Sequence, residues 1–508
     1  MRYNLLTTPL LTVKDAAGRN QAHSLPGLLA ALGRGEVDSL VRAHRHQIDP
    51  IHIFLCYLAA ITLARIGKLD LAHDEAFWAE RLRVLTEGAD DAWCVVVDDP
   101  QRPAFMQPPV ASAEQAGKLD PKAETPDEFD VLQAAKNHDV KAARMSGAAV
   151  EDWVYALISG QTMSSFLGAG NYGVARMNGG SGSRPCVGVV TSLNASERWQ
   201  LDTQRLLESR DGLLAPDWPY KKDGVSLLWC VPWDGTSSIA LDALDPFFIE
   251  VARIIRLKEN EGAITALGQP TNSPRVAAKN QKGNVGDPWT PITRKTGGAL
   301  TVSATGLTPQ LLRDLLLDDE KYIRAPMQVI TPGDKAVWVR VSVIVGGQGK
   351  TDGYHEAMIP VGRRPRFALA GGAERERLTR LSQWGLDQAS TAQNRSLRPA
   401  LFMLIEGGPE GFPKQNSREA KQWVSEYISS YAARWSESYF PWLWEALERD
   451  DDTAKENWLT TLHTIASETL EMSIKSAPVR TNRRYRGRVR ANGLFQGTWK
   501  KHLQIGDR

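Results

Sequence analysis

Hydrophobic positions change period along this chain, and the changes divide it. The densest apolar run, PIHIFLCYLAAITLARIG (50–67), is apolar on nearly every face, which predicts a helix inside a large core. Asp49 fits as its N-cap, Pro50 as its first helical residue and Gly67 as its end. Ahead of it, NLLTTPLLTV reads as short extended pieces broken at Pro9. SLPGLLAALGRG reads as a short helix with Pro26 in its first turn and Gly33 or Gly35 at its end. From Trp93 to about residue 190 the periodicity is mixed. AEQAGKLDPKAETPDEFD is polar and loop-rich, and VEDWVYALISGQTMSSFL has helical spacing at Trp153, Leu157 and Met163 or Phe166. Between about 225 and 365, VSLLWCVPW, ALTVSAT and AVWVRVSVIVGG predict strands. In the last, Val337, Val339, Val341 and Val343 alternate with Trp338, Arg340 and Ser342.

After Phe367 the pattern turns helical in AERERLTRLSQWGLDQAS, RSLRPALFMLIEG, SREAKQWVSEYISSYAARWSESYF and TAKENWLTTLHTIASETLEMSIKS. In the third, Val424, Tyr427, Ile428, Tyr431 and Trp435 form one stripe, and Asn416 with Glu419 fits its cap. RTNRRYRGRVRANGLFQGTWKKHL supplies a further helix. The fold class is α+β: a large mixed N-terminal domain (1–367) with antiparallel strands and helices, then a C-terminal, four-helix-like bundle (368–508).

Composition narrows the function classes. The chain has 508 residues, 42% of them hydrophobic, enough for two or three domains. Sixty-one basic residues against 59 acidic ones give a net charge of +2, so any case for nucleic acid rests on local clusters. One such cluster is Arg480, Arg483, Arg484, Arg486, Arg488 and Arg490 around Tyr485, with no acid before Asp507. Four cysteines, Cys56, Cys94, Cys186 and Cys230, form no C-x-x-C pair and suit a reducing compartment. No secretion signal is read at the N-terminus. The 50–67 run is shorter than the ~20 residues of a membrane span and carries His52 and Arg65. A soluble, cytoplasmic protein without a membrane partner is the expectation.

LGAGNYGVARMNGGSGSRP (167–185) contains G-x-G-x-x-G at Gly168, Gly170 and Gly173. A dinucleotide site needs a strand before it, a helix opening on it and an acid about 20 residues on. Here a helical stretch precedes it, and Asn178, Gly179, Gly180, Gly182 and Pro185 prevent a following helix. No cofactor is therefore expected. What remains is a loop poor in side chains that can approach another surface closely, with Asn171 and Tyr172 for hydrogen bonding and stacking and Arg176 and Arg184 for charge. AAKNHDVKAARM groups Lys136, His138, Lys141 and Arg144, and AAKNQKGNVGDPWTP places Lys279 and Lys282 on a loop. VIVGGQGKTDGYHEAMIPVGRRPRF (343–367) reads as a glycine-punctuated hairpin, either an ordinary one or one whose tip wedges a duplex. His44, His46 and His52 make no metal motif, no nucleophile elbow appears, and the chain is read as non-catalytic.

Five segments in order carry a family resemblance: PAFMQPP (103–109), KNHDVKA (136–142), GAGNYGVARMNGG…SRP (168–185), GDPWTP (286–291) and GGQGKTDGYHE (346–356), followed by the helical bundle. Together they resemble the large subunit, CasA, of type I-E CRISPR Cascade complexes. The resemblance implies a non-enzymatic subunit beside the 5′ end of the guide RNA and other Cascade subunits. Such a subunit reads the flanking PAM of target double-stranded DNA from the minor groove, wedges the duplex open and helps recruit a helicase–nuclease. Carried over, the PAM-reading positions are Asn171, Tyr172 and Gly173 with Lys282, or alternatively Lys279. The wedge hairpin falls on Lys350, Thr351, Asp352 and Gly353, and the guide-facing contact on Lys136, Asn137, His138 and Lys141. The family's wedge glutamine is matched by Asp352 in register, with Gln348 earlier, so both stay open. The rival readings are a dinucleotide-dependent enzyme using the Gly168 loop and a purely structural scaffold.

Overall fold

The apolar run becomes an 18-residue helix, Ile48–Arg65, in which every residue from Asp49 to Leu63 is buried. Its start differs from the expected one. A one-turn 3-10 helix, Arg45–Gln47, leads in, and Gln47 is the N-cap. Asp49 lies within the first turn with its carboxylate committed to side chains from other elements, so it does not cap. Together with the 3-10 turn this helix forms Arg45–Arg65, the one segment among the described residues long and apolar enough to cross a membrane, and 89% of its most apolar window is buried inside the protein. It packs beside the helix Ala195–Leu213 in a core that includes Trp153, Trp199, Trp229, Trp289 and Phe248.

In this computed structural model, residues 2–132, 148–179, 183–347, 350–406, 418–477 and 481–503 are described, with backbone alone for 347, 350–352, 406 and 481–484. The architecture is α+β, as the patterning predicts, with several small and mainly antiparallel sheets. One compact unit comprises Met1–Leu307, Asp319–Val329 and Val337–Pro360; the other comprises Thr308–Asp318, Ile330–Ala336 and Val361–Arg508.

In the first unit, Ser24 caps the helix Leu25–Arg34 by accepting from the Gly27 amide, and Gly35 ends it at φ 79°. Helix Val150–Thr162 forms where its spacing predicts. Strand Val337–Gly347 pairs antiparallel with Cys186–Val190, in register from Trp338 opposite Val190 to Ser342 opposite Cys186. Strand Lys350–Val361 lies on its other side. VSLLWCVPW yields only Val225–Leu227, followed by a 3-10 turn. ALTVSAT is not a strand. Ala299 makes one isolated bridge to Ile292, and Gly297, Gly298 and Gly306 punctuate the stretch with turns.

The second unit is helical. Gly372–Thr391, Arg398–Glu406, Arg418–Glu445 and Asp451–Ser476 match the four predicted segments, and Thr481–His502 adds the fifth. Helix Pro309–Leu317 also belongs to it. Val424, Ile428, Tyr431 and Trp435 are buried as one stripe, with Tyr427 at its edge, while Asn416 lies outside the described residues.

Candidate nucleic-acid interface

The glycine-rich segment leaves helix Val150–Thr162 and folds back on itself. The Leu167 amide donates to Asn171 O (2.9 Å), the Asn171 amide to Gly168 O (3.0 Å) and the Val174 amide to Ser164 O (3.0 Å). Gly170, at φ 85°, presses against Pro270: a Cβ there would lie 2.8 Å from the proline Cβ. The Thr271 amide ties down the same turn by donating to Gly170 O (3.0 Å). Leu167 and Ala169 are exposed at the bend, and Asn171, Tyr172 and Gly173 are half-buried, with the Tyr172 ring 5.7 Å from that of Phe166. A helix precedes this loop and none opens on Gly173 within the residues described up to Gly179.

The lysine turn stands directly behind the loop's outgoing limb. Lys279–Gln281 is a single 3-10 turn, and Lys282 follows in the left-handed conformation (φ 49°). Gly283, at φ 82°, lies so close to the loop that a Cβ would stand 2.7 Å from Met177 C. Asn178 Nδ2 donates to Ala299 O (2.9 Å), and the Ala299 amide donates to Lys282 O (2.9 Å). Two of the predicted pieces are therefore brought together. Lys279 and Lys282 are both exposed, and neither ammonium has a carboxylate partner among the described residues.

The two arginines expected to charge the loop do something else. Arg176 is 3% exposed, pairs with Glu250 (2.9 Å), donates to Phe248 O (2.8 Å) and stacks over the Phe248 ring at 4.0 Å. Arg184 is 2% exposed and pairs with Asp287 (2.6 Å). Burial opposes the charges of this second pair and their attraction outweighs it, holding the Asp287 carboxyl below and the Arg184 guanidinium above their usual ranges. Both arginines are core staples, because a carboxylate faces each.

A residue the sequence reading passed over does support the loop. Arg253 donates to Tyr172 O and, at 3.2 Å, to Ser165 O. It sits just ahead of strand Ile254–Asn260 in EVARIIR, where nothing in the local pattern separates it from a strand-flanking surface arginine.

The hairpin's outgoing strand ends at Gly347 and its return strand begins at Lys350, so Lys350–Gly353 open the return strand rather than forming the turn. The side chains of Lys350, Thr351 and Asp352, and all of Gln348, lie outside the described residues, as do Lys136, Asn137, His138, Lys141 and Arg144. The hairpin's base is described in full. Asp49 on the core helix accepts from Arg340 Nε (3.0 Å) and Ser342 Oγ on the outgoing strand and pairs with Arg198 (2.8 Å). Burial pushes its carboxyl up, but the guanidiniums of Arg198 and Arg340 outweigh that and hold it well below the usual range. Glu356 on the return strand pairs with Arg45 and accepts from the Tyr354 hydroxyl (2.9 Å). In the helical unit, Tyr485 is 78% exposed and Arg486 and Arg488 lie on the same helix; Arg480 and the side chains of Arg483 and Arg484 lie outside the described residues.

No family model and no curated protein matches the sequence. Solved structures do match, and they do so from end to end. Cse1 of Thermobifida fusca aligns with a TM-score of 0.65 at 14% identity, covering 99% of this chain and 98% of its own. CasA of Thermus thermophilus aligns at 0.64 and 13%, covering 99% and 100%. The chain has the Cse1/CasA fold. The CRISPR-associated protein Cse1 of Acidimicrobium ferrooxidans agrees, at 0.63 and 15% over 99% and 98% of the two chains. Both units of the molecule thus fall within a Cse1/CasA-like fold, although identity this low carries no individual side chain across.

Proposed function

We propose that the chain is the non-catalytic large subunit of a type I-E Cascade, an RNA-guided antiviral ribonucleoprotein of the cytoplasm. In this reading Asn171, Tyr172 and Gly173 meet the minor groove of the PAM, with Lys282 or Lys279 beside them. The hairpin strand opening at Lys350–Gly353 starts R-loop formation, with Asp352 or Gln348 as the wedge. Lys136, Asn137, His138 and Lys141 face the guide RNA's 5′ end, and further surfaces meet other Cascade subunits and the recruited helicase–nuclease.

One observation carries this reading. Within a Cse1/CasA fold, the glycine-rich loop and an exposed, carboxylate-free lysine turn share one junction at Gly283 and Met177. The minor groove offers mainly acceptor atoms, with the guanine amino group as the one added donor. A shallow backbone surface flanked by an ammonium suits that pattern and tolerates several flanks. In an assembled complex, Lys282→Ala is expected to weaken binding to flank-bearing duplex about tenfold, the loss of one good charged contact, while binding to a pre-opened bubble changes less than about twofold. Equal losses on both substrates contradict the assignment.

A further inference from the structure

The loop's backbone is polarised. Gly168 O accepts from the Asn171 amide, Gly170 O from the Thr271 amide, Asn171 O from the Leu167 amide, and Tyr172 O from Arg253. By contrast, the amides of Gly168, Ala169, Gly170, Tyr172 and Gly173 have no acceptor among the described residues. From Gly168 to Gly173, four of six carbonyls are occupied, those of Ala169 and Gly173 having no donor among the described residues, against one of six amides. A partner that presents oxygens and ring nitrogens completes such a surface; one that presents donors does not.

Arg253 stands at the base of this arrangement. Besides Tyr172 O and Ser165 O it donates to Ala252 O (3.0 Å), and it has no carboxylate partner among the described residues. Its position is fixed by Gln161, a buried side chain at the end of helix Val150–Thr162. Gln161 Oε1 accepts from the Ala252 amide (2.9 Å) and the Arg253 amide (2.8 Å), and its Nε2 donates to Arg253 O (3.1 Å). Burial lowers the guanidinium to about 10, still protonated at neutral pH. Arg176 and Arg184, close to the loop in sequence, each have a carboxylate, so of these three arginines Arg253 is the one with no carboxylate partner among the described residues.

We infer that Arg253 is a positioning residue for flank recognition: it occupies the Tyr172 and Ser165 carbonyls, so that the loop's unpartnered amides meet the acceptor-rich edge of DNA beside a cation that has no carboxylate partner among the described residues. This inference rests on the proposed DNA-facing role of the loop. Lysine is not equivalent, because one ammonium does not reproduce the planar fork that reaches two separate carbonyls.

The test uses the assembled complex carrying Arg253→Met, Arg253→Lys or Gly170→Val, with affinity read across a salt series on flank-bearing duplex, flankless duplex and a pre-opened bubble. Arg253→Met should lower discrimination between the two duplexes about tenfold, and Arg253→Lys about threefold, with bubble binding nearly unchanged. The salt slope should become shallower with Met and stay unchanged with Lys. Equal losses on all three DNAs assign Arg253 a merely structural role and overturn the inference. If Arg253→Met does not assemble, Arg253→Lys decides, and full discrimination by it overturns the inference. Unchanged discrimination in the arginine variants with loss in Gly170→Val overturns the role of Arg253 alone. Unchanged discrimination in all three overturns the DNA-facing loop as well.

Discussion

The Arg176–Arg184 segment and the Lys279–Lys282 turn meet at Met177 and Gly283, and each carries two cations, yet they have opposite fates. Glu250 and Asp287 draw the arginines into the core, whereas no carboxylate among the described residues faces the lysines. Local charge in a sequence therefore says little about a binding face. What matters is whether an acid from a distant stretch of chain reaches the cation, and here those acids come from 74 and 103 residues away.

That contrast breaks most visibly at the buried pair. Arg184→Met leaves the buried Asp287 without its ion-pair partner and should destabilise the first unit by about 3–5 kcal/mol in denaturant unfolding. A loss below about 1 kcal/mol means the pair is better solvated than its burial indicates. The junction comes next. Gly283→Ala forces a side chain into positive φ and against Met177 backbone, at a cost of about 1–3 kcal/mol, and should weaken flank binding through displacement of the lysine turn. The exposed cation is energetically silent: Lys282→Ala should leave stability within about 0.5 kcal/mol, so that its entire effect appears in DNA affinity.

A further effect is in pH. His52 shares a hydrogen bond with Asp202 at 2.9 Å, but burial, reinforced by Arg198, pushes its pKa below 6.5. The folded state resists its protonation while the unfolded state does not, so stability present above pH 6.5 is lost as pH falls below it. His52→Gln should flatten that part of the melting profile; an unchanged acid slope would remove His52 as its source.

Much of the fold was legible because its signals are local. All-round apolarity identified the core helix, valine alternation the Val337–Gly347 strand, and i, i+3, i+4 stripes the helical unit. The misses share a cause. Asp49 looks like a cap in a short window of sequence, and only the return of Arg198 and Arg340 from far along the chain makes it a buried anchor. ALTVSAT has strand composition, but its flanking glycines turn the chain before a ladder forms. The glycine loop and Lys282 were visible as composition, whereas their junction through Gly283 and the support from Arg253 exist only in three dimensions.

Amide hydrogen exchange across residues 164–174 of the assembled complex, with and without target, tests the proposed interface most directly. The amides of Gly168, Ala169, Gly170, Tyr172 and Gly173 should exchange freely in the unbound complex and slow on flank-bearing duplex, but not on a flankless control. Exchange unchanged by both DNAs, in a complex that still forms R-loops, would contradict a DNA-facing loop.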